Sequence, residues 1–259
     1  MEVIELRPED FEFHQNLMIY IGKCPLGNVV FKIFNSNEDE FKLLNLIDSP
    51  YVIKPLGIGK LNNRIGLITE YANGGDLFDF LYYSSNPRRH NSEYLLTIIL
   101  QIALGIREIH RSGIFHRNIK PENIVLKKEG EDIRAMIIDF EYSIYLDSFV
   151  SENVMSYGTF QYNPPEMDGM TKLSYSADIY AFGICILMIL MPEATRVPTF
   201  EDFEAFMKLE KTNYPDLDPL KEILSKIFVK NPKDRITINE IVEFEFIRNK
   251  IPYRYDSLQ

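Results

Sequence analysis

Residues 116–123 read His-Arg-Asn-Ile-Lys-Pro-Glu-Asn, and Ile137-Ile138-Asp139-Phe140-Glu141 follows soon after. These two stretches carry the most concentrated chemistry of the chain. The carboxylate of Asp139 is a hard oxygen ligand of the kind Mg²⁺ takes. The amide of Asn118 is uncharged and has negligible basicity near pH 7, so it can orient a hydroxyl but cannot accept its proton. His116 taken alone reads as a satisfied core histidine. Lys32 and Glu40, taken alone, read as solvated charges on a strand and a helix.

The elements that must position these groups change character along the chain. Up to about Tyr71, short β-type segments dominate: Leu17 to Ile21, Val29 to Phe34, Val52 to Ile53, and Ile65 to Thr69. The turn signal Pro25-Leu26-Gly27-Asn28 joins the first two into a hairpin. One helix, about Asn37 to Ile47, stops before Ser49-Pro50, where proline disfavours continuation. After Gly74-Gly75 the pattern is mostly helical. Leu95, Ile98, Ile99, Ile102, Ile106 and Ile109 recur at helical spacing within Ser92 to His110, with Gly113 as the stop. Thr237-x-x-Glu240 is a capping box that starts a last helix. The apolar run Ala181 to Met191 is too short to cross a bilayer and reads as a buried core helix. The fold expected is α+β, one domain over 1–259, with a β-rich lobe (1–71, one helix) and a helical lobe (72–259).

A chain of 259 residues with 46% hydrophobic content can bury a substantial core. Its net charge of −10 argues against a nucleic-acid surface and against acidic lipids, while leaving local ATP binding open. No membrane insertion is expected. Cys24 and Cys185 have no metal-ligand spacing and read as free, buried thiols of a reducing compartment. The charged first residues do not resemble a signal peptide, so a soluble, cytoplasmic protein is expected.

From Lys32 to Arg235 the motifs resemble, in order and spacing, the eukaryotic protein kinase family. His116 to Asn123 is similar to its catalytic loop in the Ser/Thr-type form. Residues 137–141 resemble its D-F-G segment, and Ile68-Thr69-Glu70-Tyr71 its hinge. Gly158-Thr159-x-x-Tyr162-x-x-Pro165-Glu166 is similar to the end of its activation segment. Asp178-x-Tyr180-x-x-Gly183 looks like the start of the central helix, and Arg235 would pair with buried Glu166. The resemblance implies a bilobal kinase fold that uses ATP and Mg²⁺ and works with protein partners. It implies nucleotide-binding positions at Lys32, Glu40, Thr69 (the gatekeeper), Glu70, Ala72 and Val125, with metal ligands Asn123 and Asp139. Asn118 and Lys120 fall at its catalytic positions, the lysine neutralising the transferring phosphoryl group. Arg117 could receive a phosphate placed among Ser143, Tyr145, Ser148, Ser151, Ser156 and Tyr157, hydroxyls that are otherwise merely polar.

Three departures gather around that one cleft. Asn118 stands where the family has the aspartate that accepts the substrate proton. Glu141 replaces a glycine, which adds a negative charge near the metal ligands or simply points to solvent. Its side chain also costs on the order of 1 kcal/mol if the glycine backbone angles are needed. No glycine-rich phosphate loop is present. Counting back from Lys32 puts Asp10, Glu12 and Gln15 at the three glycines and Leu17 at the following valine. Each carboxylate at ~4 Å from a phosphate charge would cost roughly 4 kcal/mol at an effective dielectric of ~20, and much less on an exposed loop. The expectation is a kinase-fold signalling or scaffolding module, a pseudokinase with impaired phosphotransfer. The alternative is a weak or unconventional ATP-dependent Ser/Thr kinase built on Lys32, Glu40, Lys120, Asn123 and Asp139.

Overall fold

Alternating apolar residues build the N-terminal part of the chain into a six-stranded sheet. The computed structural model describes residues 3–15, 18–34, 39–145, 158–168, 174–194 and 196–250. The strands are β1 (Ile4–Glu5), β2 (Phe11–His14), β3 (Ile19–Cys24), β4 (Gly27–Ile33), β5 (Pro55–Leu61) and β6 (Arg64–Glu70), in the order β1-β5-β6-β4-β3-β2. Val29, Phe31, Leu61 and Ile68 are buried in a small core on one face, sealed by Leu6. The other face carries Lys32. Val30 pairs with Thr69 across β4 and β6, and side chains alternate along a strand, so Thr69 and Lys32 share that face.

The expected hairpin forms with Pro25 and Leu26 alone as its turn, because Cys24 pairs with Gly27. Its first strand begins at Ile19, and Leu17 lies outside the described residues. Val52, expected in a strand, makes only an isolated bridge to Ile137. The N-lobe helix α1, Asp39–Leu44, is shorter than expected. It ends where the Asn45 side-chain amide donates to the Phe41 carbonyl at 2.7 Å, and residues 37 and 38 are outside the described set.

The larger part is mostly helical: α2 (Leu77–Tyr82), α3 (Ser92–Arg111), α4 (Ser176–Leu190), α5 (Phe200–Met207), α6 (Leu220–Ile227), α7 (Ile238–Glu243) and α8 (Glu245–Arg248). Asn91 caps α3, its side chain accepting from Tyr94 N, and all six apolar positions read from the sequence are buried. In α4 every residue from Asp178 to Leu190 is buried, as a helix apolar on all sides must be. The Thr237–Glu240 capping box forms, but α8 follows α7, so that helix is not the last. Two small antiparallel sheets interrupt the helices: β7 (Ile114–Phe115) with β10 (Ile144–Tyr145), and β8 (Ile124–Glu129) with β9 (Asp132–Ile137). Cys185 is buried, whereas Cys24 is only half-buried, contrary to expectation. Among the described residues no helix is long and apolar enough to cross a membrane.

Candidate functional site

The loop from His116 to Asn123 lies between β7 and β8, and Asp178 in the first turn of α4 holds its start. One carboxylate oxygen accepts the His116 N–H and the other the Arg117 N–H, each at 2.9 Å. Asp178 is 1% exposed, so both of its oxygens are spent on structure. That grip holds Arg117 in the left-handed region, at φ 69°. Gly158 passes so close that a Cβ would meet the Arg117 carbonyl oxygen at 2.4 Å, and its own φ is +98°. Only glycine fits there.

His116 is fully buried and serves the frame, as expected of a core histidine. Its Nδ1 accepts from the Asn118 N–H at 3.2 Å, which fixes the proton on Nε2, 3.1 Å from the Ile138 carbonyl. Burial lowers its pKa, so the ring is neutral. Phe140 packs edge-on against it at 4.7 Å and donates its backbone N–H to Glu40 at 3.0 Å. The D-F-G-like segment is thereby tied to both α1 and the loop. The strain expected at Glu141 lies elsewhere: Asp139 has a φ of 67°, and Glu141 has no positive φ.

Lys32, Glu40, Asp139 and Glu141 converge. The Lys32 ammonium lies 2.6 Å from Asp139, 3.2 Å from Glu40 and 3.5 Å from Glu141. Of the two readings of Glu141, the one with its charge directed inward describes this arrangement. Burial alone would lower the lysine pKa, but the three carboxylates outweigh it and hold the group firmly protonated. Burial pushes Asp139 up, and Lys32 together with His116 and the Asn118 hydrogen bond more than reverses that, leaving it below the usual carboxylate range. Glu40 ends above its usual range because burial outweighs its longer contact with Lys32.

Asn118 is 6% exposed and bonded on both sides. Asp139 as a carboxylate can only accept, so the Asn118 nitrogen must face it, and Nδ2 donates to Oδ2 at 3.1 Å. Asn118 Oδ1 then accepts from the Thr159 hydroxyl at 3.4 Å, and that hydroxyl accepts from Lys120 Nζ at 2.9 Å. A one-way chain of donors thus runs from Lys120 through Thr159 and Asn118 to Asp139. Asn123 Nδ2 donates to the Asn118 carbonyl at 2.9 Å and approaches Asp139 at 3.5 Å. Asp139 and Asn123 are of the oxygen-donor type that Mg²⁺ takes. Both Asp139 oxygens, however, already accept hydrogen bonds from neighbouring side chains.

Thr69 is 9% exposed, and Ala72 and Val125 are partly buried against the main core. The carboxylate of Glu70 pairs with Lys127 and accepts from the Lys54 N–H. Beyond it, Gly74 donates to the Leu126 carbonyl at 2.7 Å, which fastens the hinge-like segment to β8. The acidic stretch near the N-terminus is only partly where it was expected. Asp10 precedes β2 in a 3-10 turn and pairs with Arg7 at 2.6 Å. Glu12 lies within β2, and only Gln15 is in the turn between β2 and β3. The count from Lys32 misplaced them because β3 and its hairpin turn are short. Glu12 pairs with Ile21 and Ile21 with Val30, so Glu12 shares the face of Lys32.

Thr159 and Asp178 were read from the sequence as landmarks only, and the structure gives them contacts that define the site. Ser143, a candidate phosphate acceptor, is buried and donates to the His116 carbonyl at 3.1 Å. Ser148, Ser151, Ser156 and Tyr157 lie outside the described residues. Arg235 is wholly enclosed and grips Glu166 at 2.6 and 3.0 Å, as expected for the base of the helical lobe. Tyr180, where the family commonly has tryptophan, stacks edge-on with Phe228 at 5.0 Å.

The protein kinase domain family model matches residues 30–247. The chain is 28% identical over 221 residues to the human serine/threonine-protein kinase ULK1, covering 80% of this chain and 21% of that protein. It is 27% identical to an Aurora kinase of Dictyostelium discoideum, covering 81% of this chain and 53% of that protein. Against the mouse serine/threonine-protein kinase Nek1 it is 29% identical, covering 73% and 16%. The chain therefore spans about half or less of the length of these relatives. With the sheet, the central helix and the loop arranged as described, it belongs to the protein kinase family.

Proposed function

We propose that this chain is a kinase-fold signalling or scaffolding module, a pseudokinase whose phosphotransfer is strongly impaired and which acts through contacts with protein partners. The observation that carries this reading is the bonding of Asn118. At the position of the proton acceptor stands an amide whose donor is spent on Asp139 and whose acceptor faces Thr159. Loss of a general base costs on the order of 10²–10⁴ in rate, or ~3–5 kcal/mol of transition-state stabilisation. The lack of a glycine-rich loop weakens a different part, the grip on the phosphates.

The cleft keeps a nucleotide-binding role in this reading. Thr69, Glu70, Ala72 and Val125 would meet the base, Lys32 with Glu40 would face the phosphates, and Asp139 with Asn123 would hold Mg²⁺. A bound Mg²⁺ would neutralise phosphate charge. Two observations favour the second reading, a weakly active Ser/Thr kinase: the Lys32–Glu40 pair is closed at 3.2 Å, and Lys120 within the loop is held by Thr159 at 2.9 Å. Transfer from radiolabelled ATP to a generic basic protein, measured beside an active Ser/Thr kinase, separates the two. A rate lower by at least ~10²-fold is expected, and a comparable rate rejects the pseudokinase.

A further inference from the structure

We infer that this cleft recognises the nucleoside end of its ligand alone, taking an uncharged purine nucleoside without metal and without a grip on phosphates. The inference rests on the base-binding part of the reading above, and it departs from that reading at the phosphate and Mg²⁺ positions.

Three observations close the phosphate end, the first two sharing the Lys32–Asp139 contact. A lysine ammonium has three N–H donors, and Lys32 has three carboxylates within 3.5 Å: Asp139, Glu40 and Glu141. A phosphate oxygen must displace one of them and then sit beside the others. Glu141 is the third partner, at a position where the family has no side chain at all.

Asp139 is closed in the same way. Oδ1 takes Lys32 at 2.6 Å, and Oδ2 takes the Asn118 amide at 3.1 Å. The second contact is specific to asparagine, since an aspartate at that position has no proton to give and would repel Asp139. The donor chain from Lys120 through Thr159 and Asn118 ends on Asp139, so the positive charge of Lys120 is relayed to it through neutral groups. The carboxylate is satisfied by the protein's own donors, and a divalent ion must break that chain to bind.

The roof supplies the third observation. Glu12, Ile21, Val30 and Thr69 form one row across β2, β3, β4 and β6, on the face that carries Lys32. That row is acidic at its outer end and apolar in the middle. At the other end of the cleft, Thr69, Ala72 and Val125 are buried or partly buried and carry no charge. A flat, neutral heterocycle suits that end, whereas at the other a polyanion meets Glu40, Asp139 and Glu141 already gathered on Lys32, with Glu12 and Lys23 on the same sheet face.

Calorimetric titration of the full chain with adenosine, ADP and ATP, each in excess Mg²⁺ and in excess EDTA, tests this. Dissociation constants that agree within about threefold across all six conditions are expected, since a ligand bound by its base gains little from phosphates or metal. If Mg·ATP binds at least about tenfold tighter than adenosine, the inference fails while the nucleotide reading stands. If none of the three binds, both fail. Glu141→Ala removes the third acceptor and so returns one donor of Lys32, and ATP is expected to gain at least about threefold over adenosine. An unchanged ratio in a variant with a normal unfolding transition removes Glu141 from the explanation and overturns the inference. Should that variant not fold, the six titrations of the unaltered chain decide alone.

Discussion

Asn118 donates a side-chain N–H to Asp139 at 3.1 Å, so the amide binds the neighbouring carboxylate as a donor. In a kinase those two positions are both carboxylates. Here they form a neutral–anion pair that needs no third group to hold it together. Asn118→Asp accordingly loses a hydrogen bond to a charged group and sets two carboxylates against each other. A loss of about 1–3 kcal/mol in unfolding free energy is expected by urea titration at neutral pH. A variant as stable as the unaltered chain would show that the amide does not hold Asp139.

Arg235 offers a test of the helical lobe that is independent of the cleft. Its side chain has no exposed surface, and it donates to Glu166, Ile227 O, Ser176 O and Val229 O. Arg235→Ala would remove the buried guanidinium that the Glu166 carboxylate pairs with, together with its donors to three backbone carbonyls. A cost of about 3–5 kcal/mol is expected by chemical denaturation. Arg235→Lys keeps the charge but not the fork, and should recover only part of that loss. Full recovery by lysine would mean that charge, not geometry, holds the lobe.

His116 gives the fold a pH dependence of definite sign. Its folded pKa lies below its ordinary value of 6.5 because burial disfavours the charged ring. Below about pH 6.5 the unfolded chain takes up a proton that the folded ring refuses, so this contribution to stability is present above that pH and is lost as pH falls. The Asp139 contribution has its window lower, since its folded pKa is below an ordinary value of 3.8. The melting temperature should therefore fall between pH 7.5 and pH 5.5, and less steeply in His116→Asn. Equal slopes in the two proteins would exclude the histidine.

Much of this was legible in the sequence where local pattern and tertiary structure agree. Six apolar positions in α3 and the run in α4 announced helices, and burial of those residues is what makes them stable. The loop from His116 to Asn123 was legible because its residues stand together in the chain. Strand β5 was not, since Leu56-Gly57-Ile58-Gly59 carries turn-type residues, and its order comes from pairing with β1 and β6. The contact of Lys32 with Glu141 and the relay through Thr159 join residues far apart in the chain, so no spacing rule reaches them. The position of Asp10 was misjudged because strand lengths were borrowed from the family, and a two-residue turn shortens this hairpin.

Asn118 is the point on which the functional reading turns. Single-turnover phosphate transfer from radiolabelled ATP, compared between the unaltered chain and Asn118→Asp, measures its part directly. Transfer by the unaltered chain should lie at least ~10²-fold below ordinary kinase rates, and the aspartate variant should regain only a fraction of it because Glu141 and the missing glycine loop remain. Transfer by the unaltered chain at ordinary kinase rates, undiminished beside the aspartate variant, would contradict the pseudokinase reading outright.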